Sequence, residues 1–151
     1  MLYKETQDLV WWVKHLFLIG IGGILLGLIF SPRDPETTFW ITPLLIFIGL
    51  LIIFMYVNFH SLEIKVQGRF LEFGFGIFKK GFLLSEIASC EETRITFSRY
   101  GGIGIRWGSD GTVCYNTRFG KGVRIKIIGK KKEYVLTSNN PQALCKALKA
   151  E

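Results

Sequence analysis

FWITPLLIFIGLLIIFMYVNF, residues 39–59, is the stretch on which the fold turns. It runs for 21 residues without a charge, and a helix of about 20 apolar residues suffices to cross a hydrocarbon core roughly 30 Å thick. Its proline, Pro43, is expected in the first helical turn, where a missing N–H breaks no helical hydrogen bond. Residues 39–59 therefore read as a transmembrane helix.

A second apolar run precedes it at residues 11–30. Lys14 and His15 interrupt it near one end, beside Trp11 and Trp12, where a long cationic stem reaches the headgroups while its apolar part stays in lipid. Glu5 and Asp8 dilute the positive end that a cleaved leader would need, and no small-x-small cleavage site follows, so the run is expected to be a retained anchor. Residues 31–38 hold two prolines, Arg33, Asp34 and Glu36, which suits a tight connector. Lysines and arginines near membrane ends stay on the cytoplasmic side. Lys4 and Lys14 come before the first helix and Lys65 and Arg69 after the second, so both termini are expected in the cytoplasm, on an inner-membrane, multi-pass protein. Gly20, Gly23 and Gly27 fall on one stripe of the first helix, with Gly49 as a facing residue on the second; such a stripe lets backbones approach closely, within the hairpin or between copies.

Composition narrows the functional classes. The chain has 151 residues, 49% of them hydrophobic and only 21% charged, too apolar for an ordinary soluble domain and too short for a multidomain enzyme. Cys90, Cys114 and Cys145 form neither an even framework nor a CxxC zinc pattern, and they are expected as free thiols in a reducing compartment.

After residue 60 the periodicity changes. Leu62, Ile64 and Val66 alternate with Glu63, Lys65 and Gln67, the pattern of a half-buried strand. Further strand-prone segments follow near 70–74, 77–84, 87–98, 102–107, 112–117, 122–128 and 133–137. Asp110-Gly111 is a strong hairpin signal, and Gly129 before the lysines marks another turn. Asn140-Pro141 then supplies an N-cap and a first-turn proline for a terminal amphipathic helix carrying Leu144, Ala147 and Leu148 on one side. Seven or so antiparallel strands with a terminal helix suit a small barrel or a pair of orthogonal sheets. The expected class is an α+β membrane protein, with a transmembrane hairpin over residues 1–60 and a small antiparallel β-barrel with a C-terminal helix over residues 61–151.

Arg99-Tyr100-Gly101-Gly102-Ile103-Gly104-Ile105-Arg106, then Asp110-Gly111-Thr112, Tyr115-Asn116-Thr117, Gly122-Val123-Arg124-Ile125 and Tyr134-Val135-Leu136-Thr137-Ser138-Asn139-Asn140-Pro141, form an ordered pattern. It resembles the bacterial PH-like domains that follow a two-helix membrane hairpin. The resemblance implies a PH-like barrel and brings no catalytic or ligand-binding residues with it.

The residues themselves offer little chemistry. His15 and His60 both sit at expected membrane boundaries, away from any nucleophile in the sheet region. Cys90 is flanked by Glu91 and Glu92, and carboxylates hold a thiol protonated when reactivity needs a thiolate. Gly101-Gly102-Ile103-Gly104 is not followed by a helix and has no Walker lysine. No catalytic residue, cofactor or metal is expected. Charge is more informative: residues 61–151 hold 16 Lys+Arg against 8 Asp+Glu. Cations beside an anionic leaflet contribute about 1 kcal/mol each. Lys79, Lys80, Arg118, Lys121, Lys130, Lys131 and Lys132 are the candidate contacts for lipid or partner. The expected function is a non-enzymatic adaptor at the cytoplasmic face of the bilayer, binding a protein partner or a second copy. The alternative is recognition of anionic phospholipid by the basic loops. Nucleic acid is not expected, since strands and core account for the aromatic residues.

Overall fold

The structure, a computed structural model, describes residues 3–30 and 34–149. Two long helices, α1 (Trp11–Ile29) and α2 (Pro35–Phe59), form the apolar part. Gly20 faces Ile52, Gly49 faces Ile24 and Gly27 faces Leu45, a register that makes the pair antiparallel. No residue of α1 is buried. Both helices are long and apolar enough to cross a membrane, and a helix apolar all round needs lipid or protein on every side.

Of the expected connector, residues 31–33 lie outside the described residues. Its second half is helical, because Pro35 opens α2: proline's fixed φ suits a first helical position and its absent N–H is not missed there. Pro43 consequently lies well inside the helix, not in its first turn. The backbone bond that a residue with an N–H would donate there is lost.

Each helix runs straight into a strand. β1 (Tyr3–Asp8) enters α1, and β2 (Ser61–Gln67) leaves α2. The two strands pair antiparallel from Asp8↔Ser61 to Tyr3↔Val66. β3 (Phe70–Phe75) and β4 (Phe78–Leu83) complete a four-stranded sheet in the order β1-β2-β3-β4. The second sheet contains β5 (Ile87–Ile95), β6 (Gly104–Trp107), β7 (Val113–Asn116), β8 (Gly120–Ile127) and β9 (Tyr134–Thr137), ordered β5-β8-β9-β7-β6. All its pairings are antiparallel except β7–β9, which is parallel. A one-turn helix, α3 (Phe97–Tyr100), separates β5 from β6, and α4 (Pro141–Leu148) ends the fold.

The expected closed barrel is not found. The chain makes two sheets whose edge strands do not pair with each other, β1 and β4 in one and β5 and β6 in the other. What joins them is a shared core. Leu62, Ile64, Val66, Leu71 and Phe73 from the first sheet meet Val123, Ile125 and Leu136 from the second, all fully buried. The Phe73 ring touches Phe82, Tyr115 and Tyr134 with centroids 5.2–6.0 Å apart. α4 adds Leu144 and Leu148, and its start is capped as expected, Asn140 Oδ1 accepting from Ala143 N at 3.1 Å.

The cysteines overturn another expectation. Cys90 on β5 and Cys145 on α4 form a disulfide with their Cα atoms 5.4 Å apart. Only Cys114 is free among the described residues. A separation of 55 residues carries no motif, and pairing is not deducible from spacing alone.

Candidate functional site

The joint between hairpin and sheets is the best-defined polar and apolar constellation. Leu9 N donates to His60 O at 2.8 Å, so the β ladder continues up to the helix ends. Asn58, buried in the last turn of α2, gives its Nδ2 to Phe54 O at 2.9 Å and accepts from Ile77 N at 3.2 Å through Oδ1. The β3–β4 turn is thereby tied to the helix. Gly76 in that turn has φ +43°, and a Cβ there would approach the Asn58 carbonyl to 2.8 Å. Only glycine combines that backbone with so close an approach. Phe59 then lies 5.5 Å from Phe75 and 5.3 Å from Phe78.

Where β6 reaches this joint a groove opens, with a volume of about 400 Å³. Val13, Phe17 and Met55 of the two helices form one wall; Ile103, Ile105 and Arg106 form the other. Arg106 Nε donates to Ile103 O at 3.1 Å. Its guanidinium lies over Gly102, where a Cβ would come within 3.0 Å of it. Among the described residues no carboxylate pairs with Arg106.

The sequence-predicted cations do not gather into one site. Lys79 is held by Glu63 at 2.9 Å and Glu72 at 3.6 Å. Lys80 sits over the Tyr134 ring at 6.0 Å, and Lys130 over Phe82 at 4.5 Å. Phe82 lies four residues along β4 from Phe78, which places Lys130 about 13 Å back from the joint at a strand's rise. Lys131 and Lys132 are exposed in the same β8–β9 turn. Arg118 and Lys121 belong to the opposite end of β8, and Arg118 donates to Asn139 Oδ1. Of the four helix glycines, Gly20, Gly27 and Gly49 face the partner helix, and Gly23 faces open space. Arg106 carried no sequence signal beyond its charge, because the helix residues it meets are about ninety and fifty positions away.

Electrostatics at the sheets is structural in character. Hydrogen bonds from Lys65 at 2.8 Å and Lys79 at 2.9 Å hold the Glu63 carboxyl down at about 2. A carboxyl with a lowered folded pKa stabilises the fold above its unfolded value of 4.5, and that contribution is lost as pH falls from 4.5 towards 2. Comparing urea midpoints of wild type and Glu63→Gln is therefore expected to give a gap that is largest above about pH 5 and closes on acidification. A gap independent of pH would contradict the ion pair's role. Burial pushes the Cys114 thiol up to about 12, which keeps it protonated and unreactive. For Asp110, burial works upward, but hydrogen bonds from Thr112 and the charges of Arg124 and Arg99 hold its carboxyl below the usual range.

β1 is fixed by a polar network of its own. Glu5 accepts from Tyr3 at 2.5 Å, from Gln7 at 2.8 Å, from Ser138 at 2.9 Å and from Asn139 N at 2.6 Å. Gln7 also donates to Thr137 O at 2.8 Å. This network ties the first sheet to the end of β9.

Comparison with protein-family models, curated proteins and solved structures gives no match.

One further surface stands out. Phe97 on α3 is 65% exposed and Trp107 on β6 is 71% exposed, both outside the apolar helices. Phe97 contacts Phe119, itself 37% exposed, at 5.8 Å. β6 pairs on one side alone, with β7, so its outer backbone edge is open.

Proposed function

We propose that the chain is a non-enzymatic, membrane-anchored scaffold. In this reading α1 and α2 cross the inner membrane, both termini are cytoplasmic, and a PH-like sheet domain binds a protein partner or a second copy at the membrane face. The observation that carries it is Trp107, 71% exposed on β6, whose outer edge is open. Large aromatics at well-placed surface positions are the residues that most often dominate binding energy, and an open edge accepts an added strand. The strand-to-helix continuity at Asp8↔Ser61 would present this edge at a fixed height above the bilayer.

The test is crosslinking in native membranes from a photoreactive residue at position 107. A defined adduct is expected; recovery of the monomer alone would contradict the proposal. A second reading, binding of anionic phospholipid, is favoured by a single observation: Arg106, which pairs with no carboxylate among the described residues, lines an apolar groove at the joint where the helices meet the sheets.

A further inference from the structure

The groove at the joint has the two halves of a lipid site. Its helix wall runs from Val13, two residues past Trp11, to Phe17, about 6 Å further along α1 at a helical rise of 1.5 Å per residue. With the tryptophans at the interface, that span runs from headgroup level into the acyl region. Val13, Phe17, Met55 and Phe59 offer only apolar surface there. At the sheet-facing end stands Arg106, its Nε anchored on Ile103 O and its terminal nitrogens not paired with any carboxylate among the described residues. A guanidinium is a planar fork that matches phosphate oxygens and stays charged at every relevant pH. The volume of about 400 Å³ falls within the roughly 300–1,000 Å³ typical of small-molecule sites.

We infer that this groove holds one anionic glycerophospholipid, its phosphate on Arg106 and one acyl chain along Val13, Phe17 and Met55. The inference rests on the second reading above and on α1 and α2 crossing the bilayer. It moves the lipid contact from the basic loops to the joint. Continuity decides the occupant, since a groove that descends along two lipid-exposed helices opens onto acyl chains. Charge decides the headgroup: residues 61–151 carry a cationic surplus, which repels a choline and attracts a net negative lipid. A bound lipid there would brace the β6 segment against the helix ends.

Native mass spectrometry of the full chain in mild detergent, supplemented with phosphatidylglycerol or phosphatidylcholine, tests this. One phosphatidylglycerol per chain is expected to survive, with phosphatidylcholine retained about fivefold less, the effect of one cation near an anionic headgroup. Arg106→Gln is expected to lose about fivefold of the adduct, Val13→Trp to lose it by filling the groove, and the Lys130→Gln, Lys131→Gln, Lys132→Gln triple variant to keep it. Equal retention of both lipids, an unchanged adduct in Arg106→Gln, loss in the triple variant, or a lipid-free dimer with the groove filled by a second copy would each overturn the inference. Carbonate washing of membranes separates the two levels. A chain released by the wash fails both the anchoring and the lipid site, whereas a chain retained without an adduct fails the lipid site alone.

Discussion

Phe73→Ala is expected to destabilise the sheet domain by about 3–5 kcal/mol. Phe73 is fully buried, and its ring lies between Phe82 of its own sheet and Tyr115 and Tyr134 of the other. Truncation removes the transfer free energy of the ring and leaves a cavity that three other rings cannot close without leaving their rotamers. Since domains of this size are stable by only about 5–15 kcal/mol, the variant should approach the threshold of folding. Urea denaturation of the full chain in detergent, followed by near-ultraviolet circular dichroism of the packed core aromatics, measures it. Phe70→Ala is the control: Phe70 lies on the same strand but is 51% exposed, and its loss should cost far less. Equal shifts for the two variants would mean that the two sheets do not share one core.

Reducing the Cys90–Cys145 bond is expected to lower stability by about 2–4 kcal/mol, because it closes a long loop and so restricts the unfolded chain. In the folded state the bond clamps α4, with its buried Leu144 and Leu148, onto β5. The drop in denaturation midpoint caused by dithiothreitol should match the drop in the Cys90→Ser, Cys145→Ser double variant. Coincident midpoints for oxidised and reduced protein would show that α4 holds without the clamp. The bond also bears on orientation. Disulfides persist in oxidising compartments, while the lysine and arginine distribution favours the cytoplasm. Under the proposed orientation the pair is closed only on oxidation, so acid-quenching intact cells and alkylating the denatured chain should modify both thiols. A chain already crosslinked in growing cells would place the sheets on the oxidising side.

Both helices were legible because continuous apolarity over about 20 residues has few other meanings. Most strands were legible from alternation and from turn residues at Asp110-Gly111, Gly129 and Asn140-Pro141. β1 was not. Its inward positions are Tyr3, Glu5 and Gln7, and a strand that faces the fold with hydrogen-bonding groups leaves no hydrophobic period to read. α3 was hidden inside an expected strand over 87–98, where Phe97 and Tyr100 fit either period; its end is set by Gly101 at φ +66°. The prolines around residue 35 read as a turn although one of them starts a helix. Closure into a barrel was expected from strand count, but strand count does not fix which edges meet, and the edges here stay open. The disulfide and the Arg106 groove are both products of long-range packing, joining residues whose separation in the chain carries no pattern.

The proposed function requires the hairpin to cross the bilayer twice with the sheets on the cytoplasmic side. Cysteines introduced one at a time at position 34, before α2, and position 131, in the β8–β9 turn, on a Cys90→Ser, Cys145→Ser background that keeps only the buried Cys114, test it with a membrane-impermeant maleimide. Position 34 should be labelled in cells whose inner membrane is intact, and position 131 only after that membrane is permeabilised. Labelling of position 131 from outside, with position 34 protected, would contradict the account.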